Sequence, residues 1–248
     1  MRGQAFSTTI LMTVLACAVT NCSFGQKTEL KLNAYSGLFF YRGKGPSSSA
    51  TISPGDGLIF ESTQSFGRKP AFSYAFELQA QKVNRKHHVY GLGFGWEELK
   101  SYTITDSTNG GDLFGGPRIV PWKGKVTMSN SSLAFNPYIG QRLITKKMNV
   151  DVLLGVDLTV CAKLQETAYY FSSTESKYIR YYQGDRRKYF GDIRPRIQIN
   201  STYKQWGVTA GYSYGLQNQY RRKSDYYTDT KLKAYTNFLR LGISYQLK

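Results

Sequence analysis

The sequence predicts an all-β protein, an eight-stranded antiparallel transmembrane β-barrel with short turns at one end and long loops at the other. Three observations predict it. Polarity alternates with period two in eight successive stretches, a pattern that a helix with its period of 3.6 cannot produce. The stretches run to about 11–15 residues, against about 5–6 for strands of water-soluble proteins and about 9–11 for a strand crossing hydrocarbon at a tilt. The connections alternate short (near 83–86, 145–147 and 204–205) and long (near 42–69, 105–125, 165–188 and 219–233), as closed membrane barrels require.

Each strand is justified by its two faces. The first sets Leu30, Leu32, Ala34, Leu38 and Phe40 against Lys31, Asn33, Tyr35 and Gly37. The second sets Phe72, Tyr74, Phe76 and Leu78 against Ser73, Ala75, Glu77 and Gln79, and the third Tyr90, Leu92, Phe94 and Trp96 against three glycines and Glu97. Leu133, Phe135, Ile139 and Leu143 mark the fourth, opposite Asn136, Tyr138, Gly140 and Arg142. The fifth alternates Val150, Val152, Leu154, Val156, Leu158 and Val160 with Asp151, Gly155, Asp157 and Thr159. Ile193, Ile197 and Ile199 carry the sixth against Asp192, Arg194, Arg196 and Gln198. Val208, Ala210, Tyr212, Tyr214 and Leu216 carry the seventh, and Leu239, Leu241, Ile243, Tyr245 and Leu247 the eighth. Pro137 and Pro195 fall inside strands, where each lacks an N–H donor, so a bulge or a slipped register is expected at both.

The N-terminal 25 residues read as a signal peptide. Arg2 is the sole charge before Lys27, an apolar run covers 10–19, and small residues at Ser23 and Gly25 precede a cut before Gln26. A lipidated Cys17 or Cys22 is the alternative. Residues 26–248 then form one barrel domain. No stretch is long and apolar enough for a membrane helix. Past the cut a single cysteine remains, Cys161, which excludes an internal disulfide framework and reads as a space-filling side chain.

The net charge of +17 would suggest nucleic acid in a cytosolic chain. The export signal argues against that partner, and the basic residues gather in loops rather than on one stripe. Anionic lipid is the better match, with solvated loops as the plain alternative.

An eight-stranded barrel is just wide enough for side chains to fill it. The inward set contains Glu77, Glu97, Asp151, Asp157 and Asp192 against Lys31, Arg142, Lys163, Arg194, Arg196 and Arg240. Near-balance of the two signs predicts a salt-bridged, closed lumen, because buried charges persist only when paired. A row of like charges would instead predict an ion path.

Catalytic, metal and cofactor chemistry is not expected. His87 and His88 stand together at the start of the third strand beside a short turn, where adjacent side chains point to opposite faces. No Cys/His spacing, phosphate loop or nucleophile elbow occurs. The chain holds twenty tyrosines. Some suit interfacial girdles, whereas Tyr181 and Tyr182, beside Arg186 and Arg187, and the Arg221–Arg222 pair make loop-borne binding candidates.

The last strand carries Arg240, Gly242, Tyr245 and Leu247: a polar residue, glycine two on, and apolar residues five and seven on. This resembles the C-terminal signal read by the bacterial barrel-assembly machinery. The whole mature chain also resembles the small outer-membrane β-barrel proteins of Bacteroidetes type, often termed porin-family. The stretches SLAFNPYIG at 132–140, VLLGV at 152–156 and WGVTAGYSYGLQN at 206–218 carry the likeness. The resemblance implies an outer-membrane location with both termini periplasmic, and it transfers no catalytic residue. Lipopolysaccharide, outer-membrane lipid and a surface protein or ligand are the partners expected. The function expected is structural or surface-binding and non-enzymatic. A narrow porin-like channel, or an accessory subunit of a transport or secretion assembly, is the alternative.

Overall fold

The computed structural model describes residues 27–46, 49–54, 60–62, 66–111, 117–145, 147–172, 177–185, 191–219 and 233–247. Among these residues all regular structure is β: β1 (Lys27–Arg42), β2 (Ser49–Pro54), β3 (Phe60–Ser62), β4 (Lys69–Val83), β5 (His88–Gly111), β6 (Pro117–Ile144), β7 (Asn149–Ser172), β8 (Lys177–Asp185), β9 (Asp192–Tyr203), β10 (Trp206–Tyr214) and β11 (Tyr235–Leu247). The signal-peptide reading lies outside the described residues.

Eight of these strands close a circuit. β1 pairs with β4, then β5, β6, β7, β9, β10 and β11 follow in order, and β11 pairs back onto β1, every step antiparallel. The circuit does not return to its starting residue. Glu29 pairs with Gln81, Gln81 with Gly91, Gly91 with Tyr138, Tyr138 with Gly155, and Gly155 with Arg196. Arg196 then pairs with Ser213, Ser213 with Phe238, and Phe238 with Phe39, ten residues beyond Glu29 on β1. A stagger of ten over eight strands, with about 3.3 Å per residue and about 4.8 Å between strands, sets a tilt of about 40°. Such a barrel has no room for an open pore unless its inward side chains are small.

The alternation read from the sequence sorts the two faces. Burial along β9 runs strictly inward–outward from Asp192 to Ile199. Large apolar side chains point outward all around the circuit, including Phe72, Phe94, Ile139, Leu154, Val160, Ile197, Val208 and Leu241. A continuous exposed apolar belt of this kind is foreign to a water-soluble monomer. Trp206 and Tyr245 stack edge-on at 4.9 Å near the short-turn end, and Tyr74 and Trp96 at 5.6 Å toward the other.

The two prolines do not shift the register. The β5–β6 ladder runs through the Leu92–Pro137 pair. The β6–β7 ladder opens at 136–137 and resumes in the same register, from Phe135–Leu158 to Tyr138–Gly155. Pro195 stands opposite Val156 and one residue past Arg196, where the β9–β10 ladder ends. Each proline sits where a rung is open on one side, so its missing donor leaves no unpaired neighbour.

The long connections hold more strand than expected. β5, β6 and β7 reach 24, 28 and 24 residues, about twice a membrane crossing. Their outer halves continue as a sheet in the order β3, β2, β5, β6, β7, β8, with β2 parallel to β5. β7 therefore changes partner, pairing with β9 from Asn149 to Thr159 and with β8 from Gln165 to Ser172.

Candidate functional site

The interior is built from alternate residues of the eight strands, and its ionic groups form two balanced clusters. The first lies by the short turns. Arg142, on β6, donates from Nε to Asp151 Oδ1 at 2.6 Å and from Nη2 to Asp151 Oδ2 at 2.9 Å. The same guanidinium donates to both Glu29 oxygens at 2.8 Å. Lys31 Nζ reaches Asp151 at 3.2 Å and Glu29 at 3.7 Å, and Gln81 donates to Glu29 at 2.8 Å. Two acids thus meet two bases. The β6–β7 turn makes the Arg142–Asp151 rung local, and β1 closes the cluster from across the barrel.

The second cluster lies mid-barrel. Asp157 accepts from Arg240 Nη2 at 2.7 Å, Arg196 Nη1 at 3.2 Å, Asn136 at 2.9 Å and Ser213 at 2.7 Å. Arg194 donates to Glu97 at 2.5 Å, and Arg196 to Glu77 at 3.1 Å. Tyr35 donates to Glu77 at 2.8 Å and accepts from Arg196 at 3.1 Å. Three acids meet three arginines, and the pairing of every charged group offsets its loss of hydration. Asp192, nearer the loops, is held instead by Thr236 and by the backbone N–H of Ile193 at 2.9 Å.

Above the ions the interior turns apolar. Phe39, Tyr41, Phe66, Leu99, Met128, Cys161, Leu164, Ala234 and Phe238 form one buried cluster. Cys161 fills space within it, as expected. The Phe39 and Tyr41 rings meet edge-on at 5.0 Å, and Tyr41 meets Phe66 at 4.8 Å. The expectation of a salt-bridged, closed lumen did not include this apolar plug. Its signal was present in the inward positions of Phe39 and Leu99, which continue the alternation with apolar side chains on the inner face.

Ten of the eleven expected lumen residues point inward and are buried; Lys163 does not and is corrected. A β-bulge between Ser131 and Ser132 sets Ser132 opposite Cys161 and Ser131 opposite Lys163, leaving Ala162 as the extra residue. Beyond it the faces exchange, so Leu164 is buried and Lys163 stands 50 % exposed outside, 3.8 Å from Asp185. Glu29, missed from sequence, takes a place inside. Among the described residues the buried charged set becomes seven acids (Glu29, Glu77, Glu97, Asp151, Asp157, Asp192 and, beyond the bulge on the same face as Leu164, Glu166) and five bases (Lys31, Arg142, Arg194, Arg196, Arg240).

The C-terminal residues fit one another geometrically. Arg240 is buried in the second cluster, while Tyr245 and Leu247 lie on the outer face. Gly242 faces inward against Tyr35: a Cβ there would meet Ala34 O at 2.4 Å and the Tyr35 ring at 2.6 Å. The glycine lets that aromatic ring cross the wall and reach the ions.

The loop-side rim is basic. Arg42 stacks 3.6 Å from the centre of the Tyr214 ring and donates to Gly215 O at 2.8 Å. Gly43, at φ 121°, ends β1 in a left-handed turn, and Arg68 donates to its carbonyl at 2.8 Å. Gly45 N–H bonds Lys233 O at 3.0 Å, which brings Lys44, Arg68 and Lys233 to one corner. Among the described residues no acid faces outward from β11, β1 or β4. Tyr181 and Tyr182 fall on β8, but their side chains, like Arg186, Arg187, Arg221 and Arg222, lie outside the described residues. His87 and His88 are exposed at the β4–β5 turn, His87 at φ 63°.

No family model matches the chain and no curated protein does, so the resemblance to Bacteroidetes-type barrels rests on the residues quoted above. Among solved structures, Neisserial surface protein A overlaps 90 % of this chain and 99 % of its own, at 10 % identity and a TM-score of 0.34. The translocator domain of the autotransporter NalP from Neisseria meningitidis overlaps 97 % and 95 %, at 10 % identity and 0.29. A deletion mutant of the monoaromatic hydrocarbon channel TodX overlaps 91 % of each chain at 8 % and 0.21. The overlaps are long but the TM-scores are low, and the barrel stands on the strand pairing described above.

Proposed function

We propose that this chain is a bacterial outer-membrane barrel with a closed lumen, whose work is done at its loop-side rim and the sheet beyond it. The observation that carries the reading is the interior, filled by two ionic clusters and an apolar plug in series. An eight-stranded wall leaves no path around three such layers. The exposed apolar belt supplies the lipid-facing surface, and the short turns and both strand termini at one end correspond to a periplasmic side. Arg240, Gly242, Tyr245 and Leu247 would serve recognition by the barrel-assembly machinery.

The role read here is structural or surface-binding and non-enzymatic. Lys44, Arg68 and Lys233 crown the exposed Phe72 and Leu38, an arrangement suited to a phosphate-bearing lipid whose chains lie along the belt. Lipopolysaccharide is the lipid of that chemistry in an outer leaflet. The extended sheet of β5 to β8 offers a second surface, for a protein or ligand. Binding of purified lipopolysaccharide to the refolded protein tests the first part. Substituting Lys44, Arg68 and Lys233 together by alanine weakens it at least tenfold on this reading, and unchanged binding would remove lipid as the partner of that corner.

A further inference from the structure

Between the two ionic clusters one wall of the interior is polar but uncharged. On β1 the order is Lys31, Asn33, Tyr35; on β4 it is Gln81, Gln79, Glu77; on β9 it is Thr202, Asn200, Gln198, Arg196. Asn33 is 3 % exposed, yet neither its amide oxygen nor its amide nitrogen has a hydrogen-bond partner in the protein. Gln79 Oε1, Asn200 Nδ2, Thr202 Oγ1 and Thr209 Oγ1 are buried and unpartnered as well. Buried polar groups in native proteins are almost always satisfied, so a cluster of this kind requires a bound partner.

Most of these groups share one wall. Asn200 pairs in register with Thr209, Thr202 with Gly207, Gly207 with Ser244, and Ser244 with Asn33, crossing β9, β10, β11 and β1. Gly207 brings no side chain. A Cβ at that position would lie 2.4 Å from Ser244 Oγ and 3.2 Å from Thr202 Oγ1, so both hydroxyls lean over the same point. The facing wall carries larger groups, among them Tyr138 and Leu153.

We propose that this belt is a buried hydration site, in which ordered water is held between the two ionic clusters. The donor and acceptor set selects the ligand. Amide N–H groups stand beside amide oxygens and hydroxyls, and water satisfies both because it donates and accepts. A bare cation would be opposed by the Asn200 N–H donor and would find no carboxylate without an arginine or lysine already on it. An anion would find no uncommitted positive charge. The inference stands on the interior alone and is independent of what the outer rim binds.

The test uses the full mature chain, isotope-labelled and refolded in detergent micelles. Magnetisation transfer from water to the side-chain NH₂ groups of Asn33 and Asn200 is expected in nuclear magnetic resonance, with a contact lifetime longer than that of surface water. Thr209→Val removes one hydroxyl at constant shape and is expected to lower the thermal midpoint, because it takes a partner from the bound water. Absence of transfer at both amides, or a Thr209→Val midpoint unchanged or raised, would mean that the belt packs dry and would overturn the proposal.

Discussion

Arg142 and Asp151 face each other across one rung of the β6–β7 hairpin and bond through two parallel contacts, at 2.6 and 2.9 Å. Only nine residues separate them in the chain, so the hairpin can form the pair before the barrel closes. Glu29 then arrives on β1 from the far side of the sequence and takes the remaining donors of the same guanidinium. The lower ionic cluster thus ties barrel closure to a local element, and this relation carries the first prediction.

Arg142→Ala leaves Glu29 and Asp151 buried with only Lys31 between them. Removing one partner of a buried pair costs about 3–5 kcal/mol. Lys163→Ala removes an exposed pair with Asp185 and should cost less than about 1 kcal/mol. Urea unfolding of the two variants should separate them clearly. Equal midpoints would mean that the inner cluster contributes no more than a surface pair.

The bulge at Ala162 is testable by position. With Cys161 replaced by serine, a cysteine introduced at Lys163 should label rapidly with a water-soluble thiol reagent, whereas one at Leu164 should not. Fast labelling at 164 and protection at 163 would restore the uninterrupted alternation and return Lys163 to the lumen.

Gly242→Ala places a methyl group 2.4 Å from the Ala34 carbonyl, a backbone atom that cannot rotate away. Gly211→Ala meets its nearest neighbour, Ile197 O, at 3.2 Å. Overpacking at the tighter site should cost about 1–3 kcal/mol and lower the yield of refolded barrel, with Gly211→Ala close to the parent. Similar yields for both would show that the Tyr35–Gly242 contact is not needed for assembly.

Phe238→Ala opens the apolar plug and should destabilise the barrel by about 3–5 kcal/mol. Arg240 loses the ring 4.6 Å from its guanidinium but keeps Asp157 and Ser213, so the ion pairs of both clusters remain and no conductance should accompany the change. Conductance from Phe238→Ala alone would make the plug, rather than the ions, the seal.

Much of this was legible in the chain because lipid and lumen impose opposite chemistry on alternate residues. The outward faces of β7 and β10 could be assigned residue by residue from Val150 to Val160 and from Val208 to Tyr214. Alternation is blind to a bulge, which inserts one residue without changing composition, and so Lys163 was placed on the wrong face. Glu29 had the correct parity, two residues before Lys31, but the count began at Leu30. The apolar plug was hidden for a different reason: beyond the belt the inner face need not be polar, since Leu99, Met128 and Phe238 join one buried apolar cluster, met by the ions only where the Arg240 guanidinium lies 4.6 Å from the Phe238 ring. The outer halves of β5 and β6 read as loops because threonines, serines, glycines and two prolines interrupt the alternation, leaving only a short apolar face such as Val126 and Met128 to count.

The most direct test of the closed lumen is conductance of the refolded protein in a planar lipid bilayer, alongside Arg194→Ala, with folding verified in both samples. Arg194 belongs to the mid-barrel cluster, and its loss leaves the Arg142 cluster and the apolar plug in place. The account therefore predicts silence from both proteins. Steady, reproducible openings from the parent chain, changed in size by Arg194→Ala, would contradict it and make the interior a channel.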